Sequence, residues 1–124
     1  GRILNIQFVP GKNAVITSGA DNSIKYWDLL TNKGVTILND NSGFTDIDAA
    51  QSGKNIICTT TNGKLLSWDV SKKKKNLVFT HSTSLHSAAY DFEGEKIAVG
   101  DRNGLIIIIN ALFNSRPQPM NDSY

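Results

Sequence analysis

Short runs of apolar and β-branched residues, each followed by a cluster of glycine, asparagine, aspartate or serine, recur along the whole chain. Runs of this length bounded by turn residues predict β-strands. No window shows the sustained spacing of three and four that an amphipathic helix requires. The hydrophobic pattern therefore predicts an all-β chain.

Three segments superimpose with a constant period of 41 residues: DNSIKYWD ending at Asp28, NGKLLSWD ending at Asp69 and NGLIIIIN ending at Asn110. A period of this length is typical of an array built from one supersecondary unit. Three units account for almost all of the 124 residues. We expect a single domain over 1–124, divided into units of about 1–40, 41–81 and 82–124.

Each unit repeats the same order of strands and turns. The predicted first strands are Ile3 to Phe8, Phe44 to Ala49 and Leu85 to Tyr90; the second are Ala14 to Thr17, Asn55 to Thr60 and Lys96 to Val99; the third are Ile24 to Leu29, Leu65 to Val70 and Leu105 to Ala111; and the fourth are Val35 to Leu38 and Asn76 to Thr80. In the third unit the matching stretch contains Pro117 and Pro119. Proline cannot donate to a strand ladder, which disfavours a fourth strand there.

Two of the turns between second and third strands contain Asn-Gly, at Asn62-Gly63 and Asn103-Gly104. Asn-Gly between two apolar runs is a strong hairpin signal, and the primed turns of two-residue hairpins need positive φ at both central residues. We therefore predict tight primed turns at these two sites.

Units of about 40 to 45 residues with four antiparallel strands, closing on Trp-Asp after the third strand, are the WD-repeat signature. The closing pairs here are Trp27-Asp28 and Trp68-Asp69. Over its whole length the chain resembles the WD-repeat (WD40-type) β-propeller family. The resemblance implies three blades of four antiparallel strands, forming an incomplete ring.

The resemblance also implies a hydrogen-bonded chain in each blade, made by a His before the first strand, a Ser or Thr in the second, an Asp in the next turn and the Trp. The structural blade residues matched by position, together with the closing aspartate of the second unit, are Thr17, Asp21, Trp27, Trp68, Asp69 and His81. The remaining positions hold Asp40, Cys58 and Asn62 in the second unit and Val99, Asn103 and Ile109 in the third. No unit carries all four family residues.

The charge balance gives no broad basic field. The chain has 13 basic and 11 acidic residues, and its basic excess falls entirely in the run Lys72 to Lys75. A nucleic-acid partner is therefore not favoured. The lysine run is expected to be a solvated loop, with a phosphate, anionic-lipid or acidic-peptide contact as the alternative.

Cellular location can be inferred only from composition. One cysteine, Cys58, cannot form an internal disulfide, which fits a reducing compartment. No stretch approaches the roughly 20 apolar residues that span a bilayer, and the first residues lack the order of a signal peptide. We expect an intracellular, cytoplasmic protein without a membrane span, and a nuclear location also fits.

The run Leu105 to Ile109 is apolar at every position, as expected for a strand buried on both faces. Propeller blades cover one another face to face, and rings close with about four to eight blades. Three blades leave two faces uncovered. We therefore expect further blades, supplied by the same parent chain or by identical copies, and the first source is favoured.

Few residues could support catalysis or bind a metal. Asp46 and Asp48 lie on one face of a strand, but no third group stands at a fixed spacing from them, so an acid–base pair is disfavoured. Zinc would require His81, His86 and Cys58 together, although Cys58 is inside a strand and His81 is in a loop. No phosphate loop or nucleophile turn is present. We expect no enzyme activity, cofactor or metal.

In the family, the loops before the first strands and between the second and third strands form one face, where peptides dock. The candidate partner-binding residues on these loops, together with His86, are Asp21, Asp40, Asn41, Asn62, His81, His86, Arg102 and Asn103. Arg102 is the best single anchor, because a guanidinium offers a rigid fork of donors.

The function expected by this analogy is a non-catalytic scaffold that binds protein or peptide. Two alternatives remain. One is a sensor or regulatory propeller fused to a signalling ATPase or protease-like domain. The other is an RNA- or chromatin-associated scaffold that uses Lys72 to Lys75.

Overall fold

The computed structural model describes residues 1–111 and 118–120, and in this part of the chain twelve strands form three antiparallel sheets. The first sheet, or first blade, contains β1 (Ile3–Phe8), β2 (Ala14–Gly19), β3 (Ser23–Asp28) and β4 (Lys33–Asn39). The second blade contains β5 (Phe44–Ala49), β6 (Asn55–Thr60), β7 (Lys64–Asp69) and β8 (Lys74–Thr80). The third contains β9 (Leu85–Tyr90), β10 (Lys96–Asp101), β11 (Ile106–Asn110) and β12 (Gln118–Pro119).

Every sheet is an up-and-down meander in which each strand pairs with the next one along the chain. The first strand of each blade also has a register shift close to its start, as between Ile3 and Asn5 and between Phe44 and Asp46. The three blades are thus copies of one unit. The predicted all-β architecture of four-stranded antiparallel propeller blades is confirmed. No helix in the described residues is long and apolar enough to cross a membrane.

The fourth strand of the third blade is only two residues long. Ile107 pairs with Pro119 and Ile108 with Gln118, and the amide of Met120 donates to the carbonyl of Ile106 at 2.8 Å. Proline is tolerated because β12 is an edge strand, where a missing donor need not interrupt a ladder. Pro117, which was also expected to disfavour a strand, lies outside the described residues.

The turns between second and third strands differ from the primed turns expected at Asn-Gly. Only Gly63 and Gly104 have positive φ, at 86° and 88°, and in the first blade Asn22 takes that position at 64°. The amide of Gly63 donates to the carbonyl of Thr60 at 3.2 Å, and that of Gly104 donates to Asp101 at 3.3 Å. The expectation of two positive φ angles was wrong, because these longer loops turn first and place a single left-handed residue at their end.

The core lies between the blades. One apolar cluster joins the first and second blades, and Ile16 and Ile24 meet Ile56 there. A second cluster joins the second and third blades and includes Ile57 and Leu85. Ile56 and Ile57 are neighbours in β6, and both are 0% exposed. Because successive strand residues point to opposite faces, the middle blade is covered on both sides.

Within residues 1–111 and 118–120, nothing covers the two outer faces in this way. In β1, Ile6 and Phe8 are 70% and 72% exposed. In β11, Ile106 is 49% exposed while Ile107 is buried. The apolar run of the third repeat therefore has one covered face and one open face, as the stacking of blades requires.

Candidate functional site

Five loops meet at one edge of the three sheets, where the first and third strands begin and the second and fourth strands end. We call this edge the rim; it comprises residues 20–22, 40–43, 61–63, 81–84 and 102–104. In the first and second blades, a backbone hydrogen bond ties the turn between the second and third strands to the connection that leaves the same blade. The amide of Asp40 donates to the carbonyl of Asn22 at 3.2 Å, and that of His81 donates to Gly63 at 2.7 Å.

The same turns are also tied to the segment entering their own blade. The amide of Thr61 donates to the carbonyl of Gly43 at 3.1 Å, and that of Arg102 donates to Ser84 at 3.0 Å. In the first blade, the amide of Ala20 donates to Arg2 at 2.8 Å. The rim turns of the first and second blades are therefore each held by backbone hydrogen bonds on both sides.

Most side chains that the sequence predicted for partner binding extend from this rim into solvent. The exposed ones are Asp21, Asn41, Asn62, Arg102 and Asn103. His86 is exposed too, but it lies on β9 rather than on a rim loop. The structure brings five of the eight candidates together as an exposed set with acidic, amide and basic members.

Asp40 is half-buried and is already engaged inside the protein. Its Oδ2 lies 3.0 Å from Nζ of Lys64, and its Oδ1 accepts from the amide and hydroxyl of Ser42 at 2.9 and 2.7 Å. Burial opposes ionisation, but the bonds from Ser42 and Lys64 outweigh it and lower the pKa of Asp40. Asp40 therefore stabilises the 40–43 loop and is not free for a partner.

His81 is likewise engaged, by an acid that sequence reasoning missed. Nε2 of His81 lies 3.0 Å from Oδ2 of Asp101, which also accepts from the hydroxyl of Thr83 at 3.2 Å. The other oxygen of Asp101 accepts from the amides of Asn103 and Leu105 at 2.9 and 2.8 Å. The His81 bond is the largest cause that lowers the pKa of Asp101 to about 2.

Asp101 was missed because it stands two residues before the position that matches Asp21 in the repeat. An aspartate two residues before Asn-Gly is nevertheless a known turn signal, because its carboxylate can accept from the amide two residues on. That signal could have identified Asp101. In the third blade, the contact between His81 and Asp101 thus joins the loop before the first strand to the end of the second strand, although Asn103 occupies the matched position.

In the first blade, three residues implied by the family resemblance lie around one cleft. The indole Nε1 of Trp27 donates to Oγ1 of Thr17 at 3.0 Å. The hydroxyl of Ser23 donates to Asp21 at 2.7 Å, and this bond is the main cause that lowers the pKa of Asp21. The cleft beside these groups measures about 40 Å³, which is far smaller than the roughly 300 to 1,000 Å³ of typical small-molecule sites.

The second blade has a different arrangement. Cys58 replaces the threonine that faces the Trp, so Trp68 has no hydroxyl at that position. Cys58 is fully buried, and burial raises the pKa of its thiol, which makes it unreactive. In the turn, the hydroxyl of Thr60 donates to Oδ1 of Asn62 at 2.6 Å. Asp69 of the Trp-Asp pair accepts from the amide of Lys72 at 2.9 Å.

Asp46 and Asp48 do project in the same direction, but they connect two blades. Oδ2 of Asp46 accepts from the amide of Ala88 at 3.0 Å, and Oδ2 of Asp48 accepts from the amide of Tyr90 at 2.8 Å. Oδ1 of Asp48 also accepts from Nε2 of Gln7 in the first blade. Both carboxylates therefore form hydrogen bonds between the innermost strands of neighbouring blades, and neither is free to act as an acid or a base there.

The remaining sequence candidates are dispersed. Within residues 1–111 and 118–120, no group of three or more His, Cys, Asp or Glu side chains could hold a metal ion. Lys72 and Lys73 lie in the turn before β8 at the edge opposite the rim, whereas Lys74 and Lys75 are the first residues of β8 and pair with Asp69 and Trp68, so the expected lysine loop covers only the first two; all four are exposed. Lys73 takes a positive φ of 54°, as Asn32 does at 59° in the corresponding turn of the first blade.

Comparisons with known proteins agree with this geometry. A model of the family "WD domain, G-beta repeat" matches residues 1–28. No curated protein matches the chain in sequence. Among many similar solved structures is the β-propeller domain of Myceliophteria thermophila Cps50 (Swd1), with a TM-score of 0.86 and 12% identity. The match covers 99% of this chain and 40% of that one.

The fold and the repeat define the class of protein as a β-propeller segment. The family match in the first repeat and the structural match across all three support the WD-repeat propeller family, as the sequence predicted.

Proposed function

We propose that this chain is a non-catalytic binding module and that its rim recognises a protein or peptide. The observation that carries the proposal is the exposed set on a fixed backbone: Asn41, Asn62, Arg102 and Asn103 extend from loops that are tied to their neighbours. Loops held by a rigid frame commonly serve recognition, and side chains that need no reordering bind at a lower entropic cost.

Arg102 is the central residue of the proposed surface. It is exposed, and its backbone amide is fixed by Ser84 at 3.0 Å. The carboxylate of Asp101, the residue directly before Arg102, is already hydrogen-bonded to His81, Thr83 and two backbone amides. A guanidinium is well suited to bidentate recognition of carboxylates, so we infer that an acidic residue of the partner binds there.

A protein partner accounts for the geometry better than a small substrate. The cleft at Thr17 and Trp27, at about 40 Å³, is too small for a typical ligand, while the rim is broad and polar. The carboxylates that could act as acid and base, Asp46 and Asp48, are used between blades. A cytoplasmic location remains part of the proposal, supported by the single buried Cys58.

The experiment is a selection of peptides from a displayed random library on the full chain, followed by affinity measurement with variants. Arg102→Ala should weaken the binding affinity for a selected acidic peptide by at least about tenfold. This is the effect of losing one contact worth roughly 1.4 kcal/mol. Asn41→Ala should weaken the same peptide to a smaller degree.

Lys54→Ala is the matched control, because Lys54 is an exposed cation in a turn at the opposite edge of the same sheets. It should leave the affinity unchanged. Peptides that bind equally well to the Arg102→Ala variant, or that respond to Lys54→Ala instead, would contradict the rim as the binding surface.

A further inference from the structure

The inner edge of the first blade has the same geometry as the edge of the third blade that receives two carboxylates. Ala88 and Tyr90 in β9 donate their amides across the blade boundary to Asp46 and Asp48 of the second blade. The residues 82 positions earlier are Ile6 and Phe8 in β1. Two repeats separate the pairs, so they occupy the same places in their blades.

The register shows that these two amides point away from β2. Phe8 faces Val15, just as Tyr90 faces Ile97 in the third blade. The next amide, Val9, donates to Ala14 at 3.0 Å, as Asp91 donates to Lys96 at 3.0 Å. Amides of successive residues in an antiparallel strand point to opposite edges, so those of Ile6 and Phe8, two residues apart, share one edge. The amides of Ile6 and Phe8 therefore point to the unpaired inner edge of the first blade.

The open face of the first blade is also more basic than the equivalent faces of the other two. Lys25 occupies the position of Leu66 and Ile107, which are buried against the preceding blade. Its Nζ lies 5.9 Å from the ring centroid of Trp27, and Lys25 and Arg2 line the cleft on this face together with one carboxylate, that of Asp21, which leaves a net positive charge. A neighbour that carries negative charge complements such a face.

We propose that the open face of the first blade binds another propeller blade whose innermost strand carries two carboxylates, two residues apart, which accept from the amides of Ile6 and Phe8. The interface between the second and third blades supplies the pattern. Ile6 and Phe8, now 70% and 72% exposed, become buried in it.

A second copy of this chain does not fit that description. In a ring of copies, the third blade of one copy would precede the first blade of the next. At the positions of Asp46 and Asp48 the third blade has Ser87 and Ala89, and its open face presents Ala98 and Ile106. It would offer no carboxylate to the two amides and an apolar surface to Lys25. The occupant is therefore a blade of different sequence.

The test extends the full chain with a duplicate of residues 42–82 placed directly before Gly1. This insertion keeps the 41-residue period, so the duplicated Asp46 and Asp48 fall 42 residues before Ile6 and Phe8, the separation found between Asp46 and Ala88. The matched control carries Asp46→Ser and Asp48→Ala in the duplicate alone, which copies the third blade. Amide hydrogen exchange at Ile6 and Phe8 is the readout.

The amides of Ile6 and Phe8 should exchange at least about tenfold more slowly in the extended chain than in the control extension, while those of Ala88 and Tyr90 stay the same in both. Equal exchange in the two extended chains would overturn the carboxylate contact. Sedimentation of the unextended chain provides a second readout. A closed dimer in which the amides of Ile6 and Phe8 exchange slowly would show that a second copy covers the first blade, and would overturn the proposal. Fast exchange of these amides in the unextended chain, in whatever oligomeric state it sediments, supports it.

Discussion

At the scale of single residues, the rim depends on one ion pair and one histidine–aspartate hydrogen bond that replace the family pattern. Asp40 with Lys64 and His81 with Asp101 each join a loop before a first strand to a strand end beside the following turn. Neither acid occupies the position expected for the family aspartate. Side-chain contacts between the loop and the neighbouring strand end are thus made by residue types other than those of the family pattern. Such contacts account for a repeat that keeps its fold without its signature residues.

The pH dependence of stability should report on Asp101. Its folded pKa of about 2 is below the ordinary value of 3.8, so the unfolded chain binds more protons between these values. The stabilisation is complete above about pH 4 and is lost as the pH falls towards 2. Urea unfolding of the wild type between pH 2 and 6 should show this loss, and Asp101→Asn should reduce the slope in that interval.

His81→Gln is a second variant for that measurement. Removal of the imidazole takes away the largest cause of the low pKa of Asp101, so its slope should lie between those of the wild type and Asp101→Asn. If the free energy of unfolding of Asp101→Asn falls with pH as steeply as that of the wild type, the Asp101 carboxylate does not cause the loss of stability at low pH.

At the scale of elements, the hairpins between second and third strands form part of the rim and share one backbone feature. Each places one residue in the left-handed region: Asn22, Gly63 or Gly104. The environments of the two glycines differ. A Cβ at Gly63 would collide with the carbonyl oxygens of His81 and Thr83, whereas nothing lies within 4 Å of one at Gly104.

Alanine at these two glycines should separate backbone strain from steric collision. Gly104→Ala should reduce the free energy of unfolding by about 1 to 2 kcal/mol, the cost of the left-handed conformation for a residue with a Cβ. Gly63→Ala adds a backbone collision and should cost at least about 3 kcal/mol. Urea unfolding of both variants measures the difference. Equal losses would show that the 61–63 turn is not held against the 81–84 loop.

The strands could be predicted from the sequence, because the 41-residue period aligns their apolar runs with one another. The turn geometry could not be predicted from Asn-Gly alone, since the bond from Gly63 to Thr60 closes a four-residue turn that also includes Thr60 and Thr61. The contacts between blades were also missed. Asp46 and Asp48 accept from amides 42 residues away, and only the stacking of sheets brings those groups together.

At the scale of the whole molecule, stability should depend on neighbouring blades. The second blade is packed on both faces, and Ile56, Ile57 and Leu65 are 0% exposed. In the part of the chain that the structure describes, the first and third blades each have one open face, with Phe8 and Ile106 among the exposed residues. Burying one such side chain is worth about 1.5 to 3 kcal/mol, which is considerable beside a typical total of about 5 to 15 kcal/mol.

The most direct test of this account is amide hydrogen exchange of the intact chain, resolved by strand. Stacked blades predict that β6 exchanges most slowly, and that β1 and β11 exchange faster because each borders an open face. Equal protection of all three repeats, or slower exchange in β1 than in β6, would contradict the claim that each blade is stabilised by the neighbours that cover it.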